Sequence, residues 1–345
     1  MSKSVILTGI RSNDEPTLGN YLGAIEPMIR MAKEKAGEYQ INLFVPDLHS
    51  FTTPIDHQDF YKRTIRNVKL FVGCGLPIDH DDVFVYRQSF IPAHSELAWI
   101  LSCFTGFGEA SRMVEFKDKS SRIGDDRVSV GLFNYPILMA ADILLYGAEW
   151  VPVGEDQRQN LELARDLAER MNKRFDEDTF VVPRTITEQQ KFIDRDSAPR
   201  VRSFKNPDKK MSKSIEDPSG TILLSDGPEA AYKKVIGATT DSIGSIKVDW
   251  AKQPGISNLL QISALLEQKQ LDEVASRWQD KSSYGELKEH VAGQVKDFLT
   301  NLQTQVNKVD EGALLKKLEQ DESAMNSVAN AKLLKVQRAV GLRSA

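Results

Sequence analysis

Short apolar runs alternate with amphipathic stretches over the first half of the chain. Runs rich in β-branched residues predict buried strands at 4–10, 41–46, 83–87 and 149–153. Between them, apolar residues recur at three- and four-residue spacing and predict helices at 18–36, 57–72, 93–104, 134–147 and 158–174. Because parallel strands are joined by crossover helices, this alternation predicts an α/β fold with a doubly wound, Rossmann-like parallel sheet.

Two residues define the first helix more closely. Pro27 lies inside the stretch 18–36 and should kink or restart the helix, because proline lacks the N–H that an interior position needs. Gly37 follows the last apolar position and should end the helix, since glycine adopts the left-handed conformation common after a helix.

The pattern changes after residue 205, where the sheet region is complete. From about 228 to 343 the periodicity is helical and charges alternate, which predicts a second, α-helical domain. Between the two lies the basic segment 199–214. We therefore expect a first domain over 1–205, a loop over 206–220 and a helical domain over 221–345.

Composition narrows the class of protein. The chain has 345 residues, 41% of them hydrophobic and 27% charged, values typical of a globular protein rather than of a disordered chain or a rod. The formal net charge is −4, so binding to nucleic acid requires a local basic patch. The C-terminal segment 331–345 contains no acidic residue and is a candidate for such a basic patch. The alternative is that its cations lie on a solvated helix face. Its cations are Lys332, Lys335, Arg338 and Arg343.

Cysteine use and hydropathy bear on the compartment. Cys74 and Cys103 lie far apart, without His or Cys neighbours at zinc-ligand spacing, and each stands among apolar residues. We expect both to be reduced, buried thiols. No signal sequence and no apolar stretch of membrane-spanning length is found, which predicts a cytoplasmic protein.

The turn after the first strand carries the first candidate chemistry. It places Gly9, Thr17, Gly19 and Asn20 at the carboxyl end of a strand and the start of a helix, where open α/β sheets bind nucleotides. Gly19 would let a ligand approach the backbone, while Thr17 and Asn20 could bond to phosphate oxygens. The alternative is a capped turn, since neither nucleotide-binding glycine pattern is present.

A second candidate is the string Lys210-Met211-Ser212-Lys213-Ser214 between Pro207 and Pro218. Two ammonium groups three residues apart on a loop could close over a triphosphate and neutralise a departing pyrophosphate. From charge alone, the alternative is a solvated lysine-rich loop.

These two strings together resemble the class I aminoacyl-tRNA synthetases, whose motifs are a HIGH-type turn and a KMSKS loop. The strings at 139–146 (MAADILLY) and 151–157 (VPVGEDQ) closely resemble bacterial tryptophanyl-tRNA synthetases, as do those at 116–120 and 254–260. The resemblance implies a catalytic domain of the HUP type, a helical anticodon-binding domain and a homodimer. It also implies L-tryptophan, ATP and tRNA(Trp) as substrates, with Mg²⁺ carried by ATP rather than by a dedicated protein site, and neither a membrane nor DNA as partner.

The apolar helix 134–147 offers a geometric check on that resemblance. At about 100° per residue, Tyr135, Met139 and Asp142 fall at roughly 0°, 40° and −20° and share one face. A carboxylate among apolar neighbours is costly unless a donor satisfies it. The indole N–H of tryptophan is such a donor. The alternative is a carboxylate bonded to another side chain or a backbone N–H in the core.

The resemblance assigns roles residue by residue. The tryptophan pocket would contain Leu7, His49, Tyr135, Met139, Asp142, Ile143 and Gln157. ATP would contact Gly9, Arg11, Ser12, Asn13, Gly19, Asn20, Gly154, Glu155, Asp156, Val201, Lys210, Met211, Ser212, Lys213 and Ser214. The phosphates would be stabilised in the reaction by Thr17, Asn20, Lys119, Lys210 and Lys213. Without the resemblance, each of three residues has a simpler explanation. His49 could close a turn, Asp156 could stabilise the start of a helix and Val201 could belong to the hydrophobic core.

This chain also departs from the family pattern. The first motif of the family usually begins with the sequence Pro-x-x-Gly, whereas this chain has Ser12 and Asp14 there. Arg11 and Glu115 stand at positions where glutamine is common. Two alternatives to a tryptophanyl enzyme stay open: a tyrosyl-tRNA synthetase, and a catalytically silent paralogue that binds tRNA. A small nucleotidylyltransferase is disfavoured because it predicts no helical appendage of this size.

Overall fold

The centre of the molecule is a parallel sheet with the strand order β3-β2-β1-β4. Its strands, in the part of the chain that the structure describes, are β1 (Val5–Gly9), β2 (Gln40–Val45), β3 (Val83–Arg87) and β4 (Ala148–Trp150). This computed structural model describes residues 3–10, 15–113, 129–176, 178–192, 199–212, 217–279 and 281–344. All three pairings are parallel, so the predicted α/β sheet is confirmed.

Helices connect and cover these strands. In the first part of the chain they are α1 (Leu18–Asn20), α2 (Glu26–Lys35), α3 (Asp47–Ser50), α4 (Phe60–Gly73), α5 (Ala93–Cys103), α6 (Phe107–Ala110), α7 (Val130–Leu144), α8 (Arg158–Phe175) and α9 (Ile186–Phe192). A π-helical turn occupies Tyr21–Ile25, and 3₁₀ turns occupy Gln88–Phe90 and Glu155–Gln157. The second part has α10 (Pro228–Ile236), α11 (Pro254–Glu267), α12 (Leu271–Ser276), α13 (Tyr284–Lys308) and α14 (Glu311–Ala339). The predicted helical C-terminal region is thus confirmed.

The helix predicted over 18–36 is divided in three, as Pro27 requires. The backbone N–H of Glu26 donates to the carbonyl of Tyr21, five residues earlier, which closes the π-helical turn before α2 restarts at the proline. Gly37 follows with φ +95°, the left-handed conformation expected of the residue that ends the helix.

Apolar side chains cover the sheet on both faces because successive strand residues point to opposite sides. Ile41, Leu43 and Val45 face one core, which also holds buried residues of α2, α4 and the C-terminal helices. Leu7 and Tyr86 face a second core, built with α5, α7 and α8.

Side chains from helices that are distant in sequence accept hydrogen bonds from backbone N–H groups at the two edge strands of the sheet. On β3, the Asp321 carboxylate of α14 accepts the N–H of Val85 at 2.8 Å, and Glu322 accepts that of Arg87 at 3.2 Å. On the other edge, Gln189 of α9 accepts the N–H of Val151, directly after β4, at 2.9 Å. Exposed strand edges invite pairing with other chains, and these contacts remove the donors. These contacts also show that α14, from the C-terminal region, packs against the sheet. The domain division at 221 stays a prediction.

The two cysteines are free, as predicted, but their expected burial is wrong for one of them. Cys103 is exposed because it is the last residue of α5 and lies on its solvent side. Cys74 is partly buried after α4, and burial raises the pKa of its thiol to about 12. No helix in the described ranges has both the length and the hydropathy to cross a membrane.

Candidate functional site

The turn after β1 is stabilised by its own polar residues. Thr17 is buried and caps α1: its hydroxyl oxygen accepts the Asn20 N–H at 3.1 Å. In return, the side-chain Oδ1 of Asn20 accepts the Thr17 N–H at 3.0 Å. This reciprocal capping box uses the oxygen of Asn20 and leaves its NH₂ group outside the box. The structure therefore has the capped turn that was one reading of this segment, and a role of either residue toward phosphates stays a prediction.

The turn lies directly against the second motif. A Cβ atom on Gly19 would stand 3.3 Å from the Cβ atom of Met211 and 3.4 Å from that of Val201. Main-chain bonds fix the approach, because the N–H of Leu18 donates to the carbonyl of Ile222 at 2.8 Å. The fold thus joins two strings that are far apart in sequence, and a methyl group at position 19 would already be in tight contact with Met211.

The basic segment forms a short hairpin on which its lysines are displayed. The N–H of Met211 donates to Val201 at 3.0 Å and that of Ser203 to Lys209 at 2.9 Å, both to carbonyl oxygens. Met211 is buried, while Lys210 is exposed. Next to the hairpin lies a cavity of about 260 Å³, lined by Ser203, Lys205, Asn206, Lys209, Lys210, Ser212, Asp217 and Thr221. Cationic and hydroxyl groups of this kind suit phosphate oxygens.

The carboxylate of Asp217 is the acidic member of that lining. It accepts from the Ser203 hydroxyl at 2.7 Å, from the Ser219 hydroxyl at 3.1 Å and from the Gly220 N–H at 3.0 Å. The hydrogen bond from Ser203 is the main cause that lowers the pKa of Asp217. Three donors therefore hold this carboxylate as an anion at one end of the cavity.

A second polar cluster surrounds Asp142, which α7 carries fully buried below the carboxyl edge of the sheet. Its Oδ1 accepts from Gln88 Nε2 at 2.7 Å and from His94 Nδ1 at 2.6 Å. Its Oδ2 is 2.8 Å from Nε2 of His49. Burial alone would raise the pKa of Asp142, but the hydrogen bonds from His49 and His94 outweigh it and lower the pKa to about 2.

The structure brings several predicted pocket residues together here. His49 follows β2, and its ring meets the ring of Tyr135 edge-on, with centroids 6.2 Å apart. Met139 is partly buried, whereas Leu7 and Ile143 belong to the core below the cluster. The alternative given for Asp142, a carboxylate bonded to other side chains in the core, is also present, because Gln88, His94 and His49 bond to it. Contact of these residues with tryptophan stays a prediction.

The VPVGEDQ string opens α8 with a network of its own. Gln157 Nε2 donates to Asp156 at 3.0 Å, and Asn160 Nδ2 donates to Gln157 Oε1 at 2.7 Å. A Cβ atom on Gly154 would lie 2.5 Å from Asp156 Oδ1, so a larger residue at position 154 would displace that carboxylate from its present position. The place of Gln157 beside Tyr135 in the tryptophan pocket stays a prediction.

Several predicted residues lie outside the described residues. These are Arg11, Ser12, Asn13, Asp14, Glu115, Lys119, Lys213 and Ser214, together with the side chain of Glu155.

Sequence reasoning missed Gln88 and His94. Gln88 directly follows β3, at the same edge as His49, and that position is a signal that could have identified it. His94 lies inside α5, where a histidine gives no such signal.

The C-terminal cations are partly engaged within the chain. Lys332 Nζ donates to the Thr179 carbonyl at 2.8 Å, and Lys335 Nζ donates to the Asp178 carbonyl at 2.7 Å. Burial lowers the pKa of Lys332. Two of the four predicted cations therefore fasten α14 to the loop after α8.

Comparison with known proteins gives a consistent result. The family model described as tRNA synthetases class I (W and Y) matches residues 2–300. A tryptophan–tRNA ligase of Caldanaerobacter subterraneus subsp. tengcongensis is 42% identical over 337 residues, 98% of each chain. One of Clostridium perfringens is 38% identical over 99% of this chain and 98% of the relative.

Solved structures extend the likeness to three dimensions. The tryptophanyl-tRNA synthetase of Mycoplasma pneumoniae superposes with a TM-score of 0.83 at 31% identity, covering 100% of this chain and 99% of the other. That of Campylobacter jejuni, complexed with ADP and tryptophan, has a TM-score of 0.78 at 26% identity, covering 98% and 99%.

Proposed function

Because the chain belongs to the class I tRNA synthetases of the W and Y type, we propose that it is a tryptophan–tRNA ligase. It activates L-tryptophan with ATP and transfers the tryptophanyl group to tRNA(Trp). The observation that carries the proposal is the contact between Gly19 and Met211, which joins the two motifs of the class at one end of the sheet.

Activation begins when the tryptophan carboxylate attacks the α-phosphorus of ATP. The bond to the β,γ-phosphates breaks, and tryptophanyl-adenylate and pyrophosphate form. No enzyme nucleophile takes part, so positioning and charge supply the catalysis. Lys210, together with Lys119 and Lys213, would neutralise the departing pyrophosphate, and Mg²⁺ enters bound to the ATP phosphates. The adenylate then passes its acyl group to the terminal adenosine of the tRNA and releases AMP.

Substrate choice rests on the cluster around Asp142. Its Oδ2 would accept the indole N–H, while Met139 packs the ring and Tyr135 and Gln157 bind the α-amino group. A tyrosyl enzyme would instead need partners for a phenol hydroxyl. The named relatives at 42% and 38% identity favour tryptophan.

The test is amino-acid-dependent exchange of pyrophosphate into ATP, with tryptophan and tyrosine compared side by side. We expect exchange with tryptophan alone, and loss of about 100-fold or more in Asp142→Ala. Asp297→Ala, which removes an exposed carboxylate from α13, is the matched control and should exchange normally. Absence of exchange with both amino acids from folded protein would overturn the activity and favour a silent tRNA-binding paralogue. Exchange with tyrosine alone would favour the tyrosyl enzyme.

Binding of tRNA is assigned to residues 221–345, the predicted anticodon-binding domain. Lys332 and Lys335 bond to carbonyls of the distant loop after α8, whereas Arg343 Nη1 donates to the carbonyl of its neighbour Leu342. Arg338 and Arg343 are therefore the C-terminal cations proposed to contact phosphates. Arg343→Glu should lower aminoacylation of tRNA several-fold and leave pyrophosphate exchange unchanged, because the exchange assay contains no tRNA. Equal aminoacylation by variant and wild type would exclude Arg343 from the interface.

A homodimer and a cytoplasmic location complete the proposal. Trp99 is 71% exposed, Phe107 78% and Val130 74%, on the neighbouring helices α5, α6 and α7. Large apolar side chains exposed on neighbouring helices are typical of an interaction site, and the resemblance implies a second copy as the partner. Trp99→Lys should convert a dimer to a monomer in sedimentation. Ile243→Lys, an exposed apolar residue elsewhere, should not. A monomeric wild-type protein would contradict the assignment.

A further inference from the structure

His94 is fully buried on α5 and uses both ring nitrogens. Nδ1 lies 2.6 Å from Asp142 Oδ1, and Nε2 lies 2.8 Å from the hydroxyl oxygen of Tyr146. An ionised carboxylate only accepts, so Nδ1 carries the hydrogen, and in the neutral ring Nε2 accepts from the Tyr146 hydroxyl. Burial raises the pKa of Tyr146, so the hydroxyl keeps the proton that it donates. Asp142 and Tyr146 together therefore fix the tautomer and the orientation of His94.

The donors around Asp142 are distributed unequally between its two oxygens. Gln88 and His94 both donate to Oδ1, whereas Oδ2 receives His49 alone among the described residues. A carboxylate oxygen accepts about two hydrogen bonds through its lone pairs. Oδ1 is therefore saturated, and the remaining acceptor position of the carboxylate is on Oδ2. This is the oxygen on the side of His49, whose ring meets Tyr135.

We propose that His94, fixed by Tyr146, is a positioning residue that determines specificity for the indole N–H, by saturating Oδ1 of Asp142 and presenting Oδ2 to the substrate. This inference rests on the proposed function and deepens it. His94 acts through Asp142 and touches neither ATP nor the reacting carboxylate. Its loss would let Asp142 rotate or turn its acceptor position away from the ring nitrogen.

A merely structural role makes a different prediction. If His94 only filled space, its replacement would lower kcat/KM equally for every substrate of the same shape. If it positions the acceptor, the loss appears only with a substrate that has the N–H donor. The pair to compare is therefore tryptophan and β-(3-benzothienyl)alanine, in which sulfur replaces the indole N–H and the ring shape is nearly kept. The comparison is a double-mutant cycle between protein and substrate.

The experiment measures kcat/KM for pyrophosphate exchange with both amino acids in His94→Leu, His94→Asn and Tyr146→Phe. In His94→Leu, kcat/KM for tryptophan should fall about 10- to 100-fold, and that for the analogue less than about threefold. His94→Asn keeps an N–H donor near the position of Nδ1 and should retain most of the wild-type preference. Tyr146→Phe should lower the preference about 2- to 10-fold, the range for one neutral hydrogen bond. His57→Leu, an exposed histidine, is the control.

Two outcomes would overturn the inference and leave His94 a packing role. One is an equal loss of kcat/KM with both amino acids in His94→Leu. The other is a His94→Asn variant that has lost as much preference for tryptophan over the analogue as His94→Leu. If His94→Leu fails to fold by circular dichroism, Tyr146→Phe carries the test, and an unchanged preference in that folded variant overturns the proposal. Wild-type protein without tryptophan-dependent exchange would contradict the proposed function itself, which is a separate result.

Discussion

Gly19 and Met211 approach so closely that a Cβ atom on the glycine would stand 3.3 Å from the Cβ atom of the methionine. The glycine belongs to the turn after β1, and the methionine is the buried residue of the lysine-rich string. Their contact makes the turn and the loop one packed unit. Residue 19 is consequently where a small change in volume should separate the two motifs.

Replacement of Gly19 by alanine should impair ATP use more than it impairs folding. The added methyl group would meet Met211 and Val201 at 3.3 and 3.4 Å, a tight contact that we expect to displace the loop by a few tenths of an ångström. Overpacking costs about 1–3 kcal/mol, and we expect a rise of about tenfold or more in KM for ATP in pyrophosphate exchange.

Gly293→Ala is the matched control for that variant. Gly293 lies inside α13, and a Cβ atom there meets nothing within 4 Å. Alanine is the better helix former, so this variant should gain about 0.5–1 kcal/mol of stability and keep the KM for ATP. Equal KM values for Gly19→Ala and Gly293→Ala would show that the contact between the two motifs tolerates the added methyl group.

Asp142 should make stability depend on pH in the acid range. Its pKa is about 2 in the folded protein, against an ordinary value of 3.8. A folded-state pKa that is lowered stabilises the protein above the unfolded value, and this contribution is lost as pH falls from about 4 through 2. The linkage amounts to about 2 kcal/mol.

The measurement is the free energy of unfolding of wild type and Asp142→Asn from pH 6 to pH 2.5. Asparagine cannot titrate, so the stability difference between the two proteins should shrink by about 1–2 kcal/mol over that range. A difference that stays constant with pH would mean that the donors around Asp142 do not favour its anion.

Local pattern predicts the elements of this fold well because the sheet is buried on both faces. The strand at 83–87 is found at those residues, and Pro27 divides the helix where its missing N–H requires. The burial of Cys103 was mispredicted since apolar sequence neighbours do not show which side of a helix faces solvent.

The candidate site was only partly predictable, because part of it depends on contacts between distant segments. The face shared by Tyr135 and Asp142 follows from helical periodicity, and His49 follows from its place after a strand. Nothing local places His94 beside Asp142, since that contact depends on how α5 packs against α7. In the same way, no pattern shows that Lys332 of α14 bonds to the loop after α8.

Removing one partner of the buried ion pair between Arg87 and Glu322 should cost more stability than removing one partner of an exposed pair. Its side chains are 4% and 6% exposed, with contacts of 2.5 Å from Nε and 2.9 Å from Nη2. Glu322→Ala leaves an uncompensated buried guanidinium beside β3 and should cost about 3–5 kcal/mol in urea unfolding. Glu162→Ala breaks the exposed pair with Arg158 and should cost less than about 0.5 kcal/mol. Combining Arg87→Met with Glu322→Leu should recover much of the loss, because both charges then leave the interior. Equal costs for the two single variants would mean that water reaches Arg87 and compensates for the lost carboxylate.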